Sequence, residues 1–489
     1  MEDSNQNITA KAVRSLKWST LTEVVSRTAG PIIFVVLARL LTPDDFGVMA
    51  TAMIAISFSQ MFWDAGLSKA LIQTKTSPEE AAHVVFWTNV VLGLLIYLLL
   101  FIAAPAIALF FKSPASGPVL QVLGLQIVLA SLTSVQQALF VRELNFRGLF
   151  WIKLLTASIP ALFSIPLALY GYGVWALVVG SLTGQVINLC LLWGKSSWRP
   201  RMRFDFSLAR RLFGFGLWAT GESFALWFIF WGDNLIVGKF LGVHDLGVYR
   251  TGWLLVTAIF SLILSPFLPV LYPLFSRLQD DVSTLTATFH TINRVVMAVA
   301  LPFGIGLLIL GPELSSALFG TNWPGLGFII SIIGLANGIA WIVGINTEFY
   351  RARGRPDINA KLLFAAATYY LPTYLLAAPF GLRIFTYSRL VLVVIGLIIH
   401  VYICKFTFKF STLYLWREGK IIFTATIIMG LILYLIKESM TLLIPQLQHL
   451  VILAVLITLG FFIYIGLLWL MDRSFVLQTK ANICRALFN

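Results

Sequence analysis

The chain has 489 residues, of which 59% are hydrophobic and 11% charged, and its formal net charge is +14. Soluble globular domains keep about a quarter of their residues charged, so this composition excludes an ordinary soluble domain and points to a protein solvated by lipid. Three cysteines, Cys190, Cys404 and Cys484, stand far apart without metal or redox spacing and read as packing residues.

Taken in chain order, hydropathy and turn residues predict about fourteen membrane helices, near 18–41, 46–71, 83–111, 118–141, 148–170, 173–194, 210–240, 246–275, 288–311, 326–350, 359–380, 384–406, 419–437 and 449–471. The polar N-terminus and the apolar stretch after it lack the basic region, short core and small-residue cleavage site of a signal peptide, so the first span is expected to be retained. Val84–Phe111 runs 28 residues without a charge, longer than a crossing needs. Gly171-Tyr172-Gly173 and Pro379-Phe380-Gly381 are expected to be tight hairpin corners.

With the N-terminus placed in the cytoplasm, 27 of the 35 Lys and Arg residues fall on the cytoplasmic side, seven on the outer side, and Arg27 lies mid-span. That bias sets the orientation, with both termini cytoplasmic. It also accounts for the basic charge through anionic lipid head groups, with no need for nucleic acid. The longest basic stretch, Trp198–Arg211, falls between spans six and seven and reads as a linker.

A repeat stands on either side of that linker. Ala38–Thr51 (ARLLTPDDFGVMAT) and Gly238–Thr251 (GKFLGVHDLGVYRT) lie 200 residues apart and share Leu41/Leu241, Asp45/Asp245, Gly47/Gly247, Val48/Val248 and Thr51/Thr251. Duplicated bundles of this kind build the two lobes of secondary transporters. Six spans per lobe is an even number, so the copies should be parallel. The expected organisation is an all-α membrane protein with an N-lobe at 1–200, a C-lobe at 201–408, and two additional spans with a cytoplasmic tail at 409–489.

Charged side chains at membrane depth are costly, at least about 2.5–3.5 kcal/mol on insertion scales, and so are paired or line a wet cavity. Glu23 and Arg27 share a face of span one, and Ser57, Gln60 and Asp64 form a stripe on span two. Glu222 and Asp233 lie three turns apart on span seven, and Asn337, Trp341, Gly344 and Glu348 align on span ten. Lys153 and Arg294 sit about one turn inside the cytoplasmic ends of spans five and nine. Duller accounts stand beside these: Glu23 and Arg27 as a mutual packing pair, Lys153 and Arg294 snorkelling to the interface, Glu348 paired with Arg351 or Arg353. Trp63, Trp218, Trp227 and Trp231 are either interfacial belt residues or stacking platforms in a cavity.

The LARLLTPDDFGVMA stretch, WDAGLSKALIQ at Trp63–Gln73, VRELNF at Val141–Phe146, FGFGLWATGESF at Phe213–Phe224, PVLYPLFSRLQDD at Pro269–Asp281, LFGTNW at Leu318–Trp323 and RARGRPDINAK at Arg351–Lys361 carry a resemblance. Over residues 10–410 the chain resembles the Wzx-type polysaccharide flippases of the multidrug/oligosaccharidyl-lipid/polysaccharide exporter superfamily, nearest the colanic-acid and teichuronic-acid exporters. The resemblance implies a carrier of undecaprenyl-pyrophosphate-linked oligosaccharide in the bacterial inner membrane, working by alternating access. It implies no cofactor beyond an H+ or Na+ coupling ion, and partners limited to the lipid-linked substrate, membrane lipids and the polymerase or export machinery of the same pathway. On that basis Arg27, Lys153, Arg294, Trp218 and Asn337 are expected to contact pyrophosphate and sugar. Glu23, Asp64, Glu222 and Asp233 are expected to pair those cations or bind the coupling ion.

No nucleophile, metal cluster or nucleotide-binding loop stands out; the five histidines are scattered. A drug or metabolite antiporter of the same superfamily would want a more apolar cavity and twelve spans. A membrane glycosyltransferase or polymerase would want a large catalytic outer loop, and the outer loops at 112–117 and 311–325 are short. A peptidoglycan-precursor flippase stays open as an alternative.

Overall fold

The computed structural model describes residues 30–63, 78–143, 145–202, 226–264, 268–409, 413–443 and 449–478, with isolated positions between them. Every regular element there is helical: no strand forms among the described residues. Among the described residues eleven helical segments are long and apolar enough to cross a membrane, and Gly30–Leu40 and Leu326–Ala340 are shorter apolar helices. In hydrocarbon each backbone N–H must be satisfied within its own segment, which is why apolar runs this long can only be helices. Their outward faces keep large apolar side chains uncovered, Ile102 and Leu109 at 77% exposure among them, as lipid contact requires. The chain divides into two compact units, Met1–Arg250 and Thr251–Asn489.

The first unit begins with α1 (Gly30–Leu40), α2 (Pro43–Trp63), α3 (Pro78–Phe110), α4 (Ser116–Leu123) and α5 (Leu125–Arg142). It continues with α6 (Phe146–Leu169), α7 (Val174–Lys195), α8 (226–240) and the first two turns of α9 (Val243–Leu264). Ala52, Ile56, Leu100, Leu120, Ile127 and Val178 make its main core, joining α2, α3, α4, α5 and α7. Thr42 and Asp45 start α2 as a reciprocal cap: the Asp45 carboxylate accepts from the Thr42 N–H at 3.0 Å, and Thr42 Oγ1 accepts from the Asp45 N–H at 3.3 Å. The hairpin corner at 171–173 forms as expected, with positive φ at Gly171 and Gly173.

The two copies of the repeat meet face to face. A Cβ on Gly47 would stand 1.9 Å from the carbonyl oxygen of Val243, and one on Gly247 would stand 1.9 Å from that of Pro43. Asp44 Oδ2 and His244 Nδ1, at matched positions of the copies, lie 3.3 Å apart. The contact is therefore reciprocal, residue for residue, and the shared glycines are what let the two backbones approach so closely.

The second unit holds the rest of α9, then α10 (Leu268–Arg277), α11 (Val282–Phe319), α12 (Leu326–Ala340), α13 (Asn346–Ala352), α14 (Pro356–Ala377), α15 (Leu382–Phe406), α16 (Leu413–Leu443) and α17 (His449–Met471). The span expected at 326–350 is interrupted: α12 ends at Ala340, and the chain turns at 341–345 before α13. The Trp341 ring fills the turn, so close to Gly344 that a Cβ there would be 2.3 Å from it. The stretch expected at 246–275 is likewise two helices, α9 and α10. The two additional helices, α16 and α17, pack on α11 through Leu310, Met429, Leu433, Leu456 and Tyr464.

Candidate functional site

The site grows from a packing feature of α6 and α7. Gly180 and Gly184, four residues apart on α7, face Ser164 and Pro160 of α6: added Cβ atoms would meet Ser164 Cβ at 2.8 Å and Pro160 Cγ at 3.1 Å. This small-residue seam draws the two helices together at one level. Beside it, α5, α6, α7 and α1 enclose a cleft of about 490 Å³.

Each helix brings a different chemistry. Ile33 and Leu37 of α1 give an apolar wall, α5 gives Gln137, and α6 gives Lys153, Thr156 and Ser164. One face of α7 contributes Ser181, Gln185 and Asn188, spaced as successive helical turns. Lys153 is the one charged residue among the described residues of this lining. No carboxylate pairs with its ammonium among the described residues. Pro160 has no N–H, so the Thr156 carbonyl loses its intrahelical donor and is left as an acceptor at the cleft. The arrangement can hold a hydrated, polar and singly or doubly anionic group; it holds no nucleophile and base for covalent chemistry. Among the described residues no three His, Cys, Asp or Glu side chains converge to hold a metal ion.

A second polar centre in the same unit surrounds Asp233 of α8, which is 3% exposed. Its carboxylate accepts from the Tyr249 hydroxyl at 2.8 Å and from the Asn234 N–H at 2.7 Å. Arg250 stacks on the Trp231 ring at 4.3 Å and is close enough to feel the Asp233 charge. Nearby, the Trp227 indole N–H donates to Ser57 Oγ at 2.9 Å.

Two other expected site residues lie in the second unit with their polar groups engaged. Arg294 of α11 pairs with Asp472 and stacks on the Phe475 ring at 4.4 Å. The Asn337 amide donates to the Ile333 carbonyl of its own helix at 2.9 Å. Glu348 pairs with Arg351 at 3.1 Å, the solvated pair anticipated for it. Glu23, Arg27, Asp64, Trp218 and Glu222 lie outside the described residues. The structure thus brings Lys153 together with three amides that charge-seeking missed. A signal for them was present: Ser181, Gln185 and Asn188 form a polar stripe at helical spacing within an otherwise apolar span.

Residues 36–326 match the model of a family described as polysaccharide biosynthesis protein. The chain belongs to this family. Among curated relatives of this polysaccharide biosynthesis protein, the succinoglycan biosynthesis transport protein ExoT of Rhizobium meliloti (strain 1021) is 29% identical over 337 residues, covering 68% of this chain and 67% of ExoT. The lipopolysaccharide biosynthesis protein WzxC of Escherichia coli (strain K12) is 24% identical over 361 residues, 72% of each chain. The lipid II flippase MurJ, solved in an inward closed conformation, shares the fold at a TM-score of 0.73 and 14% identity, over 94% of this chain and all of that one.

Proposed function

We propose that this protein carries a lipid-linked oligosaccharide across the bacterial inner membrane by alternating access, without covalent chemistry. A pyrophosphate cannot leave water for hydrocarbon unaided, and neither can sugar hydroxyls. The single observation carrying the proposal is the Lys153 cleft: an ammonium with no carboxylate partner among the described residues, set among amides and hydroxyls, within helices whose outer faces are apolar. Lys153 neutralises part of the pyrophosphate, and the polyprenyl tail stays in lipid. The family, and the names of ExoT and WzxC, support the same assignment.

Arg294 already has Asp472 as its counter-charge, so the head-group contact is assigned first to Lys153, with Arg27 and Trp218 as further contacts. Asp233 is the assigned coupling carboxylate, buried and charge-matched by Arg250. Pathway partners such as a polymerase complete the proposal, with both termini in the cytoplasm as the 27-to-7 basic bias supports.

The test is a strain deleted for the protein. It accumulates a lipid-linked oligosaccharide, and wild type restores surface polysaccharide. Lys153→Arg restores it too, whereas Lys153→Glu fails, because loss of one charged contact costs about 1.5–3 kcal/mol. Full rescue by Lys153→Glu overturns the assignment of the cleft. Accumulation of the peptidoglycan precursor instead would favour the rival suggested by the MurJ-like fold.

A further inference from the structure

We infer that the cleft is a hydroxyl-reading subsite that selects the saccharide of the substrate, with Gln137, Gln185 and Asn188 as its specificity-determining residues. The inference rests on the proposed handling of a lipid-linked saccharide and adds which part of that substrate the cleft recognises.

The first ground is what these amides leave unspent. Elsewhere in the unit, amide N–H groups find internal acceptors: Asn89 donates to Ser134 at 3.0 Å, and Gln126 donates to Ser181. Among the described residues the side chains of Gln137, Gln185 and Asn188 make no hydrogen bond. An amide without a partner is costly in hydrocarbon, so three on neighbouring helices are tolerated because they face one wet cleft. Such residues are retained at membrane depth for a ligand rather than for packing.

The second ground is the match in hydrogen-bonding type. Each amide offers donors and an acceptor, and each sugar hydroxyl also gives and takes one. Ser181 accepts from Gln126, which leaves its own O–H to donate into the cleft. The Thr156 carbonyl, released by Pro160, adds an acceptor. Among the described residues the lining has no carboxylate to attract a cation and no aromatic ring to stack a flat drug. Its volume of about 490 Å³ falls within the roughly 300–1,000 Å³ of small-ligand sites. A pocket built to bond hydroxyls rejects analogues that lack them, because its own polar groups are then left unpaired.

The test measures binding to the full-length protein in nanodiscs, using two probes. One is undecaprenyl pyrophosphate alone; the other is the lipid-linked oligosaccharide extracted from the deletion strain. Wild type should bind the second more tightly. Gln137→Met combined with Gln185→Met, near in volume and unable to bond hydroxyls, should erase most of that preference, about tenfold or more, by weakening the oligosaccharide-linked probe far more than undecaprenyl pyrophosphate. Lys153→Gln should weaken both probes in parallel. If the double variant does not fold, Asn188→Leu and Gln185→Met are read singly for the same loss of preference. Unchanged preference in folded variants overturns the subsite. Wild type that binds neither probe overturns the proposed function itself, a separate outcome.

Discussion

At the residue scale, polar side chains fall into three groups: they start helices, pair across helices, or line the proposed cleft. Asp281 belongs to the first group. Its carboxylate accepts from the N–H groups of Ser283 and Thr284 at 3.0 and 3.1 Å and from their hydroxyls at 2.6 and 2.7 Å, capping α11. The Ser283 and Thr284 hydroxyls, with the backbone N–H groups, hold this carboxyl below the usual carboxylate range. Because the folded pKa is depressed, the cap's contribution is fully present above the unfolded value of about 3.9 and is lost as pH falls towards the folded value. The protection of the amides at 283–286 relative to the intrinsic exchange rate at each pH should therefore fall on acidification below about pH 4. Asp281→Ala should show the lowered protection already at neutral pH; a variant indistinguishable from wild type would rule the cap out. Arg294 and Asp472 belong to the second group, 19% and 11% exposed at their side chains. Removing one partner strands a largely buried charge, so Asp472→Ala should cost about 3 kcal/mol or more, and replacing both residues with apolar ones should recover most of it. A thermal-unfolding double-mutant cycle measures that coupling, and additive losses would deny it.

At the element scale, close helix contacts are set by glycines, whose effects differ according to what they face. Gly247 faces the Pro43 carbonyl at a separation no Cβ can occupy, whereas Gly306 of α11 has open space around it. Gly247→Ala should destabilise by about 1–3 kcal/mol, in the range of overpacking. Gly306→Ala should instead be neutral or stabilise by up to about 1 kcal/mol, because alanine is the better helix former. Melting temperatures in detergent compare the two directly, and an equal effect at both would show that the reciprocal contact of the repeats is not retained. The same reasoning locates the cleft: without Gly180 and Gly184, α6 and α7 could not close on one another, and Lys153, Gln185 and Asn188 would not face a common space. The two additional helices are fixed to α11 towards both of its ends, by Arg294 with Asp472 and by Lys437 with Glu313 at 3.0 Å.

At the scale of the whole molecule, topology is the property most directly open to test. With the proposed orientation, a cysteine in place of Lys112 should react with an impermeant thiol reagent added to intact cells. One in place of Arg355 should react only after the cells are opened; the reverse pattern inverts the orientation. The sequence by itself determined the class of fold. Apolar runs of membrane length leave the backbone no partner but itself, so the hairpin corners at 171–173 and 379–381 and the bounds of α17 could be read directly. Gly47 and Gly247 were legible as matched positions, but the backbone each of them faces belongs to the other copy. Partners, by contrast, were decided only by the tertiary structure. Arg294 and Asp472 are 178 positions apart, and nothing local records that they meet. Gln137 joins Gln185 and Asn188 only because separate helices converge. Periodicity records which face of a helix is polar, but which faces come together depends on packing between residues distant in the chain.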